Sequence, residues 1–347
     1  MLFNFFAYLK MKGAKSMRKM SQEYQYLQTL SERKLLKKND QNSLNHLQRG
    51  HQGEQAFDAL QQALTQNKLP CVDDLYLKTN TACVQIDKLL TVDGVAYVVD
   101  VKNYSGKYTY FENEWRKNEI PLQENIFEQL HNAMRAVRRI FWAEKVDLEI
   151  RGVLAFIDPH ATIDIKDNVN DIVLNAQDIA GWLLQLATQV QPKDYAYNNN
   201  WRQALKKHTL AGFSCPRKLP LAHLNHLKHG ICCRNCGDNH LIETSYYMQC
   251  PQCQHREPKE TAYVRTICDC GVLFHDHDLT MGMLCQFFGE TVNRRYLKEM
   301  LARHFEIKKH LGRSSCYFNK GLLFIYWFEE KLSYFQMLER KTDWVRH

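Results

Sequence analysis

The stretch "GVAYVVDVKNYSG", residues 94–106, carries Asp100 and Lys102 at the end of an apolar run. Alternate side chains of a strand share a face, so these two point the same way, about 7 Å apart along the strand. Asp93-Gly94 separates this run from an earlier β-rich one, "ACVQIDKLLTV". Such a pair marks a tight hairpin, because the turn needs positive φ. The hairpin sets Asp87, which shares a face with Gln85, nearly opposite Asp100. Carboxylates facing each other across strands repel. A hard cation such as Mg²⁺ or Mn²⁺ offsets that repulsion, taking one or two carboxylates together with waters and phosphate oxygens. Lys102 beside them is a compact positive charge suited to a phosphate. Glu54, in "GHQGEQAFDAL", is a third carboxylate, one turn before Phe57 at the edge of a helix's apolar face. Gly50 and Gly53 are expected to let its helix approach closely. A lone Asp-x-Lys is ordinarily a solvated strand end or an ion pair; the matched Asp87 and Glu54 give this one its chemical meaning.

A second constellation is built of cysteine. Cys233-x-x-Cys236 and Cys250-x-x-Cys253 stand thirteen residues apart, with Gly237 and Pro251 suited to tight knuckle turns. Four thiolates in two knuckles suit a closed, tetrahedral, structural Zn²⁺ site, which reads as a zinc ribbon. Cys268, Cys270, His275 and His277 are candidates for a second site, irregular in spacing, around the expected core strand of Val272, Leu273 and Phe274. No secretory signal precedes these pairs, so thiolate ligands are favoured over disulfides and the expected location is the cytoplasm.

The elements that must position these groups are legible along the chain. Residues 1–45 are basic and helical in pattern, opening on "MLFNFFAYLKMKGAK", briefly apolar and then basic, expected to be a docking or frayed helix, with a membrane-surface anchor as the alternative. Residues 46–160 read as one α/β unit: a helix through Ala56, Phe57, Leu60, Ala63 and Leu64, the hairpin, a third strand in "KYTYFENEW", an amphipathic helix from about Pro121, and a strand "IRGVLAFID". Residues 161–228 hold a short strand, "DIVL", a helix, "DIAGWLLQLAT", and an asparagine-rich expected loop, "YAYNNN". The ribbon spans 229–277. Residues 278–347 read as two helices followed by the strands "SSCYFNKG" and "LLFIYWFEE", a winged-helix-like order.

In "GHQGEQAFDAL", "CVQIDKLLTVDGVAYVVDVKNYSGKY" and "PLQENIFEQL" the chain resembles the nuclease-related domain family. That family is similar to the restriction-endonuclease-like superfamily, with its Asp and Asp/Glu-x-Lys motif. The resemblance covers residues 46–160, about a third of the chain. It implies a restriction-endonuclease-like α/β (α+β) core with a mixed sheet. The family's helix glutamate falls on Glu54, its metal aspartate on Asp87, its acid-x-lysine pair on Asp100 and Lys102, and its downstream glutamine on Gln123. Position 100 holds aspartate where the family usually has glutamate. The implied activity is metal-dependent hydrolysis of phosphodiester bonds in nucleic acid, DNA in first place. The alternative is a protein that keeps the fold and binds nucleic acid without turnover.

With 347 residues, 45% hydrophobic and 24% charged, the chain has the make-up of a soluble globular protein of several modules. It contains no run of about 18 apolar residues, so no membrane span is expected. A formal net charge of +8 leans toward an anionic partner. In the C-terminal module Arg294, Arg295, Lys298 and Arg303 line one helix and are candidates for nucleic-acid contact. The competing reading is a solvated face, the helix packing through Tyr296, Leu297, Met300 and Leu301.

Overall fold

The computed structural model describes residues 18–78, 83–210, 217–290, 292–311 and 314–344; the expected N-terminal docking helix or anchor lies outside them. Among the described residues, Arg18 and residues 46–210 belong to one compact unit, and residues 19–45 and 217–344 to a second. The chain begins with α1 (Gln22–Glu32), in the second unit, and α2 (Lys38–Thr65), which lies in the first unit from His46 on.

In the first unit follow β1 (Cys71–Lys78), β2 (Cys83–Val92), β3 (Val95–Lys102), β4 (Gly106–Phe111), β5 (Glu114–Lys117) and β6 (Ile120–Pro121). Then come α3 (Ile126–Ala143), β7 (Glu149–Phe156), β8 (Ala161–Ile165), β9 (Ile172–Leu174), α4 (Ala176–Gln189) and α5 (Pro192–His208). A five-stranded sheet runs β1-β2-β3-β7-β9. The first three strands are antiparallel, whereas β3–β7 and β7–β9 are parallel, so the sheet is mixed as expected. Asp93 and Gly94 turn the central hairpin with φ of 48° and 79°, the left-handed geometry their residue types favour.

Both faces of this sheet are covered, which is why β3 reads as a nearly continuous apolar run. Ala96 and Val98 join Leu130, Val137 and Trp201 in one cluster, on the side of α3 and α5. Tyr97, Val99 and Val101 join Phe57, Leu60 and Leu183 in the other, on the side of α2 and α4. The period of two therefore assigns Asp100 and Lys102 to the face of Ala96 and Val98.

"KYTYFENEW" forms β4 and β5, which lie in a separate four-stranded sheet, β6-β5-β4-β8. The expected "YAYNNN" loop is instead helix, inside α5. Gln191 and Asp194 close a capping box at the start of α5, and Trp201, Ala204 and Leu205 bury its end, so packing and capping override a composition that suits loops. The amphipathic helix begins at Ile126, with Asn125 as its cap, and Pro121 lies upstream in β6.

The second unit contains β10 (Ile242–Glu243), β11 (Tyr247–Gln249) and β12 (Arg256–Pro258), a small antiparallel sheet beside the cysteine pairs. It continues with α6 (Lys259–Leu273), β13 (Leu279–Thr280), α7 (Met281–Phe288), α8 (Arg294–His304), β14 (Ile307–Leu311), β15 (Ser314–Tyr317), a 3-10 turn Gly321–Leu323, α9 (Phe324–Glu330) and α10 (Leu332–Trp344). Two expected strands are overturned. Val272, Leu273 and Phe274 close α6, and "LLFIYWFEE" is the 3-10 turn and α9. A short apolar run buries equally well as either element. Here Phe324 and Trp327, three apart, are both buried while Leu323 is exposed, a one-sided pattern that a helix satisfies. No described helix is long and apolar enough to cross a membrane.

Candidate functional site

The ladder between β2 and β3 ends at Lys88–Val99, although β2 continues to Cys83 and β3 to Lys102. Asp87 and Asp100 occupy the next step of that register. There Asp87 replaces the ladder with its side chain: its Oδ2 accepts from the Val101 N–H at 2.9 Å. The other partner of Asp87 in register, Asp74, has φ of 51°, and Gln85 Nε2 donates to its carboxylate at 3.0 Å. The strand end is thus opened by carboxylates on both sides.

Asp100 and Lys102 are buried, at 7% and 5% exposure. Lys102 Nζ lies 2.8 Å from Asp100 Oδ1 as an ion pair. Both Asp100 oxygens are inaccessible to solvent, and beyond the Lys102 ion pair at Oδ1 neither receives a hydrogen bond. A buried carboxylate left this way is costly unless a cation takes up its lone pairs. The ammonium donates to Gln129 Oε1 at 2.8 Å and stands 5.9 Å from the centre of the Tyr104 ring. Burial alone would lower the Lys102 pKa, but Asp100 and Tyr104 outweigh it and raise it.

Glu54 comes from α2. Gly53 permits that approach, since a Cβ there would sit 2.5 Å from Asn103 Cβ, whereas Gly50 has open space around it. The expected role of glycine therefore holds at Gly53 and not at Gly50. Glu54 Oε2 accepts from Arg18 Nη1 at 2.9 Å, and Arg18 also binds Asp58 at 2.8 Å and the Asp87 carbonyl at 2.8 Å. Lys88, on β2, lies 2.9 Å from Asp58 and also pairs with Asp73. Burial, then the charge of Asp87, pushes the Glu54 pKa up to about 8. Burial, then the charge of Asp100, pushes Asp87 up to about 7. Asp58 goes the other way: burial opposes it, but the Arg18 hydrogen bond and Lys88 hold it below the usual carboxylate range. Asp87 and Asp100 are oxygen-only, anionic donors of the kind Mg²⁺ or Mn²⁺ takes, but among the described residues Glu54, Asp87 and Asp100 do not converge into a three-ligand cluster.

Gln123 is exposed in the loop before α3, while Gln129, one turn into α3, holds Lys102. Sequence reasoning missed Gln129, Arg18, Asp58 and Asp74. For Gln129 a signal existed: it lies beside buried Leu130 in "FEQL", at the edge of the helix's apolar face. Arg18 and Asp74 had none, because only the fold brings them to the strand end.

The Sγ atoms of Cys233, Cys236, Cys250 and Cys253 all lie within 4.8 Å of one another. Cys233–Cys253 and Cys236–Cys250 are separated by 3.6 and 3.5 Å. Four sulfurs at about 2.3 Å from one Zn²⁺ would be about 3.8 Å apart, so the cluster fits zinc closely. The candidate second site does not form among the described residues. Cys268 and Cys270 are two apart on α6 and buried on different sides of it, and His275 binds the Arg217 carbonyl. Among the described residues no cluster joins these two cysteines to His275 and His277. The described cysteines are free thiols. On α8, Arg294, Arg295 and Lys298 are exposed, while Arg303 is paired with Glu260 at 2.8 Å and Glu299 at 2.6 Å.

Residues 49–157 match the family model of the nuclease-related domain. The matched segment includes α2 from Arg49 on and the β2–β3 hairpin, which carry Glu54, Asp58, Asp87 and Asp100. No curated protein and no solved structure matches the chain.

Proposed function

We propose that the first unit is a metal-dependent nuclease that hydrolyses phosphodiester bonds, with DNA as its first-choice substrate. The observation that carries this reading is the Asp100 carboxylate, buried beside Asp87, whose pKa its charge raises, with the Lys102 ion pair and no further hydrogen-bond donor. Asp87 and Asp100 would hold Mg²⁺ or Mn²⁺, with Glu54 completing or orienting the shell. A bound divalent cation supplies Lewis-acid polarisation of the scissile phosphate and an acidified water. Lys102, its pKa raised, stays an ammonium at working pH. It is therefore no general base; it donates to a phosphate oxygen or to the attacking water and stabilises charge as it develops. Gln129 fixes the direction of that ammonium. The thiolate cluster would take a structural Zn²⁺, and the exposed Arg294, Arg295 and Lys298 would add nucleic-acid contacts, with Arg303 largely engaged by Glu260 and Glu299. Reduced thiolate ligands suit the cytoplasm.

A second reading, a nucleic-acid binder without turnover, is favoured by the Arg18–Glu54 and Lys102–Asp100 ion pairs, which engage three of the four groups, Glu54, Asp100 and Lys102. The test compares wild type, Asp100→Asn and Lys102→Ala on supercoiled plasmid, linear duplex, single-stranded DNA and RNA. A chelator would also strip zinc, so activity is restored with Mn²⁺ or Mg²⁺ alone and, separately, with Zn²⁺ alone. Cleavage by wild type only, restored by Mn²⁺ or Mg²⁺, supports the enzyme. Equal or absent cleavage in all three proteins supports the binder.

A further inference from the structure

The solvent face of α3 leads away from Lys102. Gln129, which holds the ammonium, is followed on that face by Asn132, Arg135 and Arg139, and these four line one cleft of about 740 Å³. At 1.5 Å per residue, Arg135 and Arg139 stand about 9 and 15 Å beyond Gln129 along the helix. Arg135 and Arg138 also border a second cleft, of about 660 Å³, where His131 and Arg151 are engaged by Asp171 and Glu149. Arg135 donates to Asn132, while Arg138 and Arg139 are exposed and, among the described residues, have no ion pair. Glu124 and Glu128 line the first cleft only at its Gln129 end. Near the far end, Glu144 is engaged by Lys207 and His208. Trp142, about 20 Å beyond Gln129, is 84% exposed and is the most exposed large apolar side chain among the described residues.

The charge of Arg135, Arg138 and Arg139, without ion-pair partners among the described residues, spaced along a groove and ending in a solvent-facing aromatic ring, matches what binds a single strand: the arginines track phosphates and the ring stacks a base. We infer that the α3 face, through Arg135, Arg138, Arg139 and Trp142, is the track on which a single-stranded stretch of nucleic acid lies as it enters the Asp100–Lys102 site. This deepens the nuclease reading and rests on it only for where the strand leads; binding is tested apart from cleavage.

The experiment measures binding of fluorescein-labelled single-stranded and duplex oligonucleotides to the full chain, in Ca²⁺ without added Mg²⁺ or Mn²⁺, over a range of salt. The variants are Arg135→Ala/Arg138→Ala/Arg139→Ala, the same three positions changed to Lys, Trp142→Ala, and Arg294→Ala/Arg295→Ala/Lys298→Ala, with circular dichroism as the check on folding. The triple alanine variant is expected to bind the single strand at least ~10-fold more weakly and to flatten the log K against log salt slope by about 2, at roughly 0.7 for each phosphate no longer neutralised. The lysine variant is expected to keep most of that slope. Trp142→Ala is expected to weaken single-strand binding more than duplex binding. The inference is overturned if the triple alanine variant binds like wild type, if only the α8 variant loses binding, or if wild type binds no oligonucleotide. Binding retained by Asp100→Asn alongside lost cleavage would separate this track from the catalytic reading.

Discussion

Lys102 Nζ and Gln129 Oε1 are 2.8 Å apart, and through this contact α3 sets the direction of the ammonium at the strand end. Groups that orient a catalytic side chain typically matter by about 10–100-fold. Gln129→Leu is therefore expected to lower the cleavage rate by about that factor, with Gln129→Asn intermediate. Gln123→Ala, in the exposed loop, is expected to stay within about 2-fold, since surface changes rarely do more. Single-turnover rates on one substrate check both; a large loss at Gln123 and none at Gln129 would return the positioning role to the loop.

Gly53 and Gly50 make a matched pair on α2. An added Cβ at Gly53 meets Asn103, whose side chain donates to the Arg49 carbonyl at 2.9 Å, while at Gly50 it meets nothing. Gly53→Ala is expected to destabilise the first unit by roughly 1–3 kcal/mol through overpacking. Gly50→Ala is expected to stabilise it by about 0.5–1 kcal/mol, as alanine does inside a helix. Urea unfolding of the two variants decides the point.

Without a divalent cation, Glu54 and Asp87 hold protons in the folded state that the unfolded chain has released, because their pKa values are raised to about 8 and about 7. The folded state binds more protons than the unfolded state between about pH 4 and 8. Stability from these groups is thus present at the acid end and is lost as pH rises through the folded-state values. A bound cation displaces those protons. The rise in thermal midpoint on adding Mn²⁺ is accordingly expected to grow from pH 6 to pH 8.5, and to vanish in Asp100→Asn. A shift independent of pH would place the cation elsewhere.

The four thiolates should hold one equivalent of Zn²⁺, read by metal analysis of the purified chain. Cys236→Ser or Cys250→Ser is expected to lose it and to speed amide exchange over β10–β12, because so small a sheet gains most of its folding energy from metal binding. Cys268→Ser and Cys270→Ser are expected to retain the full equivalent, since they stand apart from the cluster.

Arg18 holds Glu54 and Asp58 together from a position far outside the matched family segment. Removing one partner of a buried charge network is expensive, so Arg18→Ala is expected to cost the first unit about 3 kcal/mol. Unfolding with and without Mn²⁺ tests this. If the cation compensates for the missing guanidinium, the cost shrinks as Mn²⁺ is added.

Much was legible in the sequence alone. Asp93-Gly94 specifies the hairpin because few residue pairs tolerate two left-handed φ values, and the period of two then places Asp100, Lys102 and Asp87. The C-x-x-C pairs define the thiolate cluster because knuckle geometry is local. These features depend on backbone sterics and short spacings, which a sequence carries directly. Tertiary structure decided the rest: that "LLFIYWF" and "YAYNNN" are helical, that Gln129 rather than Gln123 reaches Lys102, and that Arg18 lies among the carboxylates. In each case the local preference is weak or divided. The outcome is then set by which distant surfaces become buried together and which charges must be neutralised when they do.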